Sequence, residues 1–177
     1  MEFVKRSNRI FIIISLIISI FLTCYYCYDF GGYKDSLSVI NNECKNTKIS
    51  RNLVLAIIKT ESNFNKKALS NKGAVGLMQL TNSTANYIAK IVGFTEDFDL
   101  YDERTNVYLG VKYLEYLFNK FNDENVVICA YNAGETRVRD WLKSDGTLDQ
   151  NKITFKETKN YLKNVKRRKN FYKILLN

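Results

Sequence analysis

The chain has 177 residues, which is enough for one globular domain with a real core and an extension. Its formal net charge is +9, and it contains no histidine, which excludes histidine-dependent triads and dyads and the usual zinc sites. Carboxylates, tyrosines, lysines and cysteines remain as reactive groups. No motif for a metal, a cofactor or nucleic acid is present, and we therefore expect none of these ligands.

An apolar segment lies near the N-terminus, at residues 10–22, after a short basic stretch at 1–9. Three tyrosines follow it, where an interfacial aromatic belt would lie. Counted through Tyr28, the segment approaches the ~20 residues that span a bilayer. The basic residues before the apolar segment predict that the N-terminus lies on the cytoplasmic side of the membrane. We therefore predict a single-pass protein of the cell membrane, with the rest of the chain on the extracytoplasmic side.

The predicted organisation is a cytoplasmic tail (1–9), a transmembrane anchor (10–28), a linker (29–32) and a globular domain (33–177). A signal sequence is the alternative for the apolar segment, and its cleavage would make the protein secreted. No small-x-small cleavage site follows the apolar run, which favours the anchor.

The first half of the globular domain is predicted to be mainly α-helical, because apolar residues recur at helical spacing. Ser50 is a candidate cap for one helix, and Thr81 or Ser83 for a later helix that ends at Val92. The stretch between these helices contains two glycines and is predicted to be a structured loop with short strands.

The second half of the domain is also predicted to be helical. An acidic loop to about Thr105 precedes a long helix, and Gly134 closes the helix after it. Thr154-x-x-Glu157 matches a capping box that would open the last helix. Four residues of that helix are expected to face the core: Thr158, Tyr161, Leu162 and Val165.

Glu61 follows an unusually apolar run and is the strongest candidate for a chemical role. Val54, Ile57, Ile58 and Glu61 follow the i, i+3, i+4, i+7 spacing of one helix face, which places a carboxyl on the stripe that faces the core. Burial favours the neutral form and raises the pKa of a carboxyl, and a protonated carboxyl is a general acid. The alternative is a helix that stops at Thr60, with Glu61 in solvent.

The cysteines do not have metal-site spacing. Cys44 and Cys129 each lie in an apolar helical pattern and are predicted to be buried small hydrophobes. A disulfide between the two is the alternative outside the cytoplasm. Cys24-x-x-Cys27 has a redox spacing, but it follows an apolar membrane segment rather than a strand.

Four blocks of residues, in order along the chain, resemble the soluble-lytic-transglycosylase catalytic domain. The first has two parts, Glu61-Ser62-x-Phe64 and Ser70 with Gly73-Ala74-x-Gly76-Leu77-Met78-Gln79-Leu80. The others are Asn106-x-x-x-Gly110-x-x-Tyr113-Leu114, then Ala130-Tyr131-Asn132-Ala133-Gly134, then Glu157-Thr158-x-x-Tyr161. The resemblance covers roughly residues 33–165. The chain departs from the family at Asn82, where a proline is usual, and this change at a helix start does not touch the chemistry.

This resemblance implies a mainly α, lysozyme-like α+β fold with a small β and loop region and a glycan-binding cleft. The implied substrate is the glycan strand of peptidoglycan, cleaved at the β-1,4 bond between N-acetylmuramic acid and N-acetylglucosamine. Glu61 matches the glutamate that first protonates the leaving oxygen and then acts as base on the C6 hydroxyl, which closes a 1,6-anhydro ring. Since the substrate supplies its own nucleophile, one carboxyl suffices.

Further residues are assigned to the cleft by the same resemblance. These supporting residues are Ser62, Gly76, Leu77, Met78, Gln79, Tyr131, Asn132, Glu157 and Tyr161. Met78 and Gln79 are expected along the sugar cleft, and the Tyr131 hydroxyl is expected to face the region of Glu61. The capping box explains Glu157 equally well as a structural residue.

Two other functions remain open at this point, a hydrolytic muramidase on the same fold and a non-catalytic glycan-binding scaffold of a cell-envelope machine. The basic cluster at 163–173 is, besides, a candidate surface for anionic lipid or a wall polymer, with a solvated helix face as the alternative.

Overall fold

The computed structural model describes residues 11–24 and 32–176. The chain divides into two compact units, which meet in the sequence between Gly32 and Tyr33. In the first unit, residues 11–24 form helix α1, and every one of them is exposed, including large apolar side chains such as Phe11 at 76%. Within the described ranges, no helix is both long and apolar enough to cross a membrane. The predicted anchor (10–28) extends beyond α1 into residues outside the described part.

The second unit is a helical domain with one small sheet, which confirms the mainly α prediction. A 3-10 turn at Lys34–Ser36 leads into α2. The longer elements are α2 (Leu37–Cys44), α3 (Arg51–Glu61), α4 (Asn82–Val92), α5 (Glu103–Phe121), α6 (Glu124–Ala133), α7 (Glu135–Arg139) and α8 (Lys156–Leu175). The short strands β1 (Ala74–Val75) and β2 (Leu80–Thr81) pair antiparallel between α3 and α4.

Side-chain caps start several of these helices. The Thr81 hydroxyl accepts a hydrogen bond from the Thr84 backbone N–H, as predicted for α4. Asp102 accepts one from the Thr105 N–H, so α5 begins at Glu103 and the acidic loop is shorter than predicted. Ser50 occupies the N-cap of α3, but its side chain makes no capping bond.

The predicted capping box at the start of α8 is wrong. Phe155 is the N-cap residue, which shifts Thr154 and Glu157 out of the register that the box requires, and no side chain caps this end. Tertiary packing sets the register instead. The Phe155 ring lies edge-on to Trp141 at 5.9 Å, and the Arg137 guanidinium lies 5.3 Å from its centre.

Helix α3 forms the centre of the core. Its residues from Leu53 to Ile58 are all fully buried, and it packs most extensively on α8. On one side α8 also contacts α6, and α5 packs against α2, α4 and α6. Cys44 and Cys129 are buried, as predicted, and both are free thiols rather than a disulfide.

Asn106 of α5 fastens the loop between the two strands to the helical core. This side chain is 1% exposed; its oxygen accepts from the Met78 N–H at 2.8 Å, and its nitrogen donates to the carbonyls of Val75 and Leu100, both at 2.9 Å. One amide therefore satisfies three backbone groups that would otherwise be buried without partners.

Gly76 is required by this arrangement for two separate reasons. Its φ of +76° is unfavourable for residues with a Cβ, and a Cβ there would lie 2.6 Å from the Leu100 carbonyl oxygen and as close to the Asn106 amide. Gly73, immediately before β1, has nearly the same φ of +75°, yet nothing lies within 4 Å of a Cβ placed on it.

We expect Gly76→Ala to lower the free energy of unfolding by roughly 3–5 kcal/mol, because backbone strain and overlap with α5 add together. Gly73→Ala is the matched control and should cost only the strain, about 1–2 kcal/mol. Denaturant unfolding of both variants measures the difference. Equal losses would show that the approach of Asn106 and Leu100 does not constrain the loop.

Candidate active site

Glu61 is the last residue of α3, so the helix does not stop at Thr60. The chain turns away sharply after it, since Asn63 and Phe64 both have positive φ. The side chain of Glu61 is partly buried, and its Oε1 accepts a hydrogen bond of 2.6 Å from the Tyr161 hydroxyl of α8. The close packing of α3 on α8 thus holds the carboxyl group in one position.

Burial raises the pKa of Glu61 from the ordinary value of 4.5 to about 7. The hydrogen bond from Tyr161 acts in the opposite direction, because it stabilises the carboxylate, and the negative charge of Glu157 raises the pKa further. Near neutral pH the group is therefore populated in both protonation states, and a carboxyl group with such a pKa can both donate and accept a proton.

A cavity of about 380 Å³ opens beside this carboxyl. Five of the sequence-predicted residues line it: Glu61, Gln79, Tyr131, Asn132 and Glu157. The other five, Ser62, Gly76, Leu77, Met78 and Tyr161, do not. A larger cavity of about 720 Å³ lies against α2 and α5, but none of the predicted residues borders it. The smaller cavity is the candidate active site, because Glu61, the carboxyl with the raised pKa, lines it.

Ser62 and Met78 do not line the cavity, and both are buried within the domain. Ser62 is buried, and its hydroxyl lies 2.8 Å from the Leu77 carbonyl oxygen and 3.1 Å from that of Ile58, so it joins the end of α3 to the strand-connecting loop and does not contact Glu61. The Met78 side chain is fully buried and packs over Gly110 of α5, where a Cβ would overlap it. It therefore lies in the core, in contrast to the expectation that it lies along the cleft.

Gln79 and Tyr131 lie on the cavity wall and are held by backbone groups. Gln79 has a positive φ of 49°, and its side-chain amide donates to the carbonyls of Gly76 (2.9 Å) and Ala68 (3.2 Å). The Tyr131 hydroxyl donates to the Met78 carbonyl at 2.7 Å rather than to Glu61. The tyrosine that contacts the glutamate is Tyr161.

The end of α6 and the start of α8 also line the cavity. The Asn132 oxygen accepts a hydrogen bond of 2.9 Å from the Thr158 hydroxyl, which ties the two helices together. Glu157 lies one residue earlier on α8, and its side chain is exposed. Its carboxylate therefore reaches solvent and the cavity at once.

Sequence reasoning named Asn106 and Tyr113 within a motif block but did not assign them to the site. Asn106, Gly110 and Tyr113 share one face of α5, at positions i, i+4 and i+7. This face includes Asn106, which bonds to the loop that connects β1 and β2. Tyr113 lines the cavity, and burial raises its pKa to about 12. The sequence signal for these residues is the helical spacing of one polar, one small and one aromatic side chain on a single helix face.

Within residues 11–24 and 32–176, no three or more Cys, Asp or Glu side chains are arranged so that they could hold a metal ion. Two glutamates, Lys72 and several residues with hydroxyl or amide groups line the cavity.

The sequence of this chain is similar to those of known lytic murein transglycosylases. The chain is 39% identical over 127 residues to soluble lytic murein transglycosylase of Escherichia coli K12, which covers 67% of this chain and 20% of that protein. It is 35% identical over 121 residues to membrane-bound lytic murein transglycosylase C of Mannheimia succiniciproducens, covering 62% of this chain and 34% of that one.

The fold is also found among solved structures. An inactive mutant of lytic transglycosylase Slt from Pseudomonas aeruginosa, with a glutamate changed to glutamine, superposes with a TM-score of 0.77 at 31% identity. The match covers 85% of this chain and 25% of that one, so the chain spans only a fifth to a third of the length of these relatives. The family model described as "Transglycosylase SLT domain" matches residues 38–154. The chain belongs to the transglycosylase SLT domain family.

Proposed function

We propose that this protein is a peptidoglycan lytic transglycosylase, which cleaves the β-1,4 bond between N-acetylmuramic acid and N-acetylglucosamine and leaves a 1,6-anhydromuramic acid end. Family membership and the names of the relatives support this proposal. The observation that carries it is the Glu61 carboxyl, with its pKa raised to about 7, at the wall of a cavity.

In the first step, neutral Glu61 donates its proton to the glycosidic oxygen, and the bond breaks with its electron pair on the departing N-acetylglucosamine. In the second step, the Glu61 carboxylate takes the proton of the C6 hydroxyl while O6 bonds to C1. The enzyme ends in its starting protonation state, and no water is consumed. Tyr161 is a positioning residue, since its hydrogen bond stabilises the carboxylate that exists between the two steps.

Glu157 is the observation that favours a hydrolytic muramidase as the second candidate. Hydrolysis needs a second carboxylate to activate water or to act as nucleophile. Glu157 is the other carboxyl group that lines the cavity among the described residues. It is exposed, however, and an intramolecular C6 hydroxyl does not require it.

The products distinguish these two reactions. After digestion of purified sacculi, we expect fragments that end in 1,6-anhydromuramic acid, because the C6 hydroxyl is tethered next to C1 and water is not. Mass spectrometry measures this directly, since the anhydro product is lighter by one water. Products with reducing ends alone would overturn the transglycosylase assignment and favour the muramidase.

Glu61→Gln should reduce cleavage by a factor of about 10³ or more, because the amide can neither donate nor accept the proton. Release of soluble fragments from sacculi measures the loss. Substantial residual cleavage would contradict the role of Glu61. Binding without cleavage in the unsubstituted protein would instead favour the glycan-binding scaffold.

The stability of the same variant provides its folding control. The unfolded chain ionises Glu61 near pH 4.5, whereas the folded protein keeps it neutral up to about pH 7. The stability contributed by the neutral form is thus full below pH 4.5 and is lost as the pH rises to 7. Glu61→Gln lacks this loss, so at pH 8 it should be more stable than the unsubstituted protein by roughly 1–3 kcal/mol.

Tyr161→Phe should shift the alkaline limit of activity to higher pH. Cleavage falls on the alkaline side as Glu61 loses its proton, and without the hydrogen bond from Tyr161 the pKa of Glu61 rises. The maximal rate should fall by roughly 10- to 100-fold, since the carboxylate intermediate loses a charged hydrogen bond. The pH profile of kcat is the measurement.

Tyr131→Phe is the matched control, since the Tyr131 hydroxyl donates to the Met78 carbonyl and not to Glu61. Its alkaline limit should stay near that of the unsubstituted enzyme. A Tyr161→Phe profile with an unmoved limit would show that this hydrogen bond does not tune the acid.

We also propose that residues 10–28 anchor the protein in the cell membrane and place the domain on the wall side. The exposed apolar side chains of α1 support this, as does the name of the membrane-bound relative. A second proposed contact, with anionic lipid or a wall polymer, uses the exposed lysines of the predicted basic cluster on α8, Lys163, Lys166 and Lys173. Arg168 and Lys169 instead make contacts inside the domain, with Thr60 and Glu124.

Vesicle sedimentation tests both contacts. The full chain should bind neutral and anionic vesicles, and removal of residues 1–31 should abolish binding to neutral ones. Residual binding of the truncated protein to anionic vesicles should then disappear in Lys163→Gln/Lys166→Gln/Lys173→Gln, since each basic residue near an anionic surface contributes about 1 kcal/mol. Unchanged binding after truncation would refute the anchor, and an ineffective triple substitution would refute the α8 surface.

A further inference from the structure

A second group of polar and aromatic residues lies next to the residues that line the cavity. Thr84 of α4, Tyr113 of α5 and Gly134 at the end of α6 all border the cavity. One helical turn past the first two lie Tyr87 and Tyr116, and the residue after Gly134 is Glu135. Tyr87, Tyr116 and Glu135 therefore belong to three elements that each follow a residue bordering the cavity.

Hydrogen bonds join the residues that follow the cavity into one surface, the rim cluster of Tyr87, Tyr116, Lys120 and Glu135. The Tyr116 hydroxyl donates to Glu135 Oε2 at 3.1 Å and accepts from Lys120 Nζ at 3.0 Å. With the Tyr116 proton so used, Tyr87 is the donor in the 3.1 Å contact between the two hydroxyls. Lys120 and Glu135 form an ion pair of 2.6 Å.

The rings of this cluster continue a row of aromatic side chains that starts inside the cavity. The ring centres of Tyr131 and Tyr113 lie 5.2 Å apart, and Tyr113 and Tyr116 stack at 6.4 Å with an angle of 19°. Tyr87 stands almost perpendicular to Tyr116, at 86°, and half of its surface is exposed. A fixed, exposed ring of this kind loses little conformational freedom when a ligand packs on it.

We propose that the rim cluster is an additional subsite for the glycan strand, in which a pyranose ring packs on Tyr87 and its hydroxyl or acetamide groups bond to Lys120 and Glu135. This inference rests on the proposed function for its choice of ligand. The ring supplies an apolar surface, and the ion pair supplies both a hydrogen-bond donor and an acceptor. A sugar has the complementary groups, namely apolar C–H groups on the face of its ring and hydroxyl groups that both donate and accept. Glycan strands that reach the cluster should therefore bind more tightly than strands that fill the cavity alone.

A different role is that the cluster only fastens α4, α5 and α7 together. In that case its loss would lower stability and would change the affinity for short and long strands by the same factor. A subsite instead changes the ratio of the two affinities. The test therefore measures a ratio and not a single affinity.

The full chain carrying Glu61→Gln, which cannot turn over substrate, is titrated by calorimetry with tetrasaccharide and octasaccharide strands of alternating N-acetylglucosamine and N-acetylmuramic acid. We expect the octasaccharide to bind more tightly, and Tyr87→Ala to reduce this advantage by about tenfold. Tyr87→Phe keeps the ring and should keep most of the advantage. Tyr101→Ala, which removes another half-exposed tyrosine that does not line the cavity, should leave the advantage intact.

Loss of the length advantage in Tyr87→Ala alone supports the subsite. Retention of the advantage in Tyr87→Ala, or its absence before any substitution, overturns it. The outcome is separate from that of the proposed function, because binding is measured without cleavage. A protein with intact Glu61 that never cleaves sacculi, yet binds long strands through Tyr87, would refute the reaction and leave the subsite standing.

Discussion

Partial burial of one carboxyl group at the end of α3 is the constraint on which the rest of the domain depends. Desolvation raises the pKa of Glu61 to about 7, and this shift destabilises the folded state at neutral pH. The fully buried run from Leu53 to Ile58 just before it offsets that cost, since each of its Leu, Val and Ile side chains stabilises the fold by about 1.5–3 kcal/mol. The acid is thus carried by the best-packed helix of the domain.

Holding the carboxyl in place requires α8, and opening a cavity beside it requires α5. Tyr161 reaches Glu61 because α8 lies along α3 over much of its length. Asn106 and the close approach at Gly110 keep the strand-connecting loop down on α5, so that Gln79 faces the cavity while Met78 faces the core. The motif residues therefore divide into those that meet the cavity and those that shape it from behind.

Much of this was predictable from local spacing. The position of Glu61 on a buried stripe, the cap at Thr81 and the inward face of α8 follow from short-range periodicity, which the chain encodes within one or two turns. The failures concern partners distant in sequence. Phe155 starts α8 because it packs on Trp141, and Met78 is buried because Gly110 leaves room for it. Such contacts have no local signature.

The same distinction separates the cavity from its rim. Inside, polar groups are fixed by backbone carbonyls, as Tyr131 is by Met78, so their geometry is set before any ligand binds. At the rim, Lys120 and Glu135 pair with each other in solvent, where an ion pair is worth little and exchanges readily for other partners. A rigid interior suits proton transfer at one atom, whereas side chains that exchange hydrogen-bond partners suit the sugar ligand proposed for the rim.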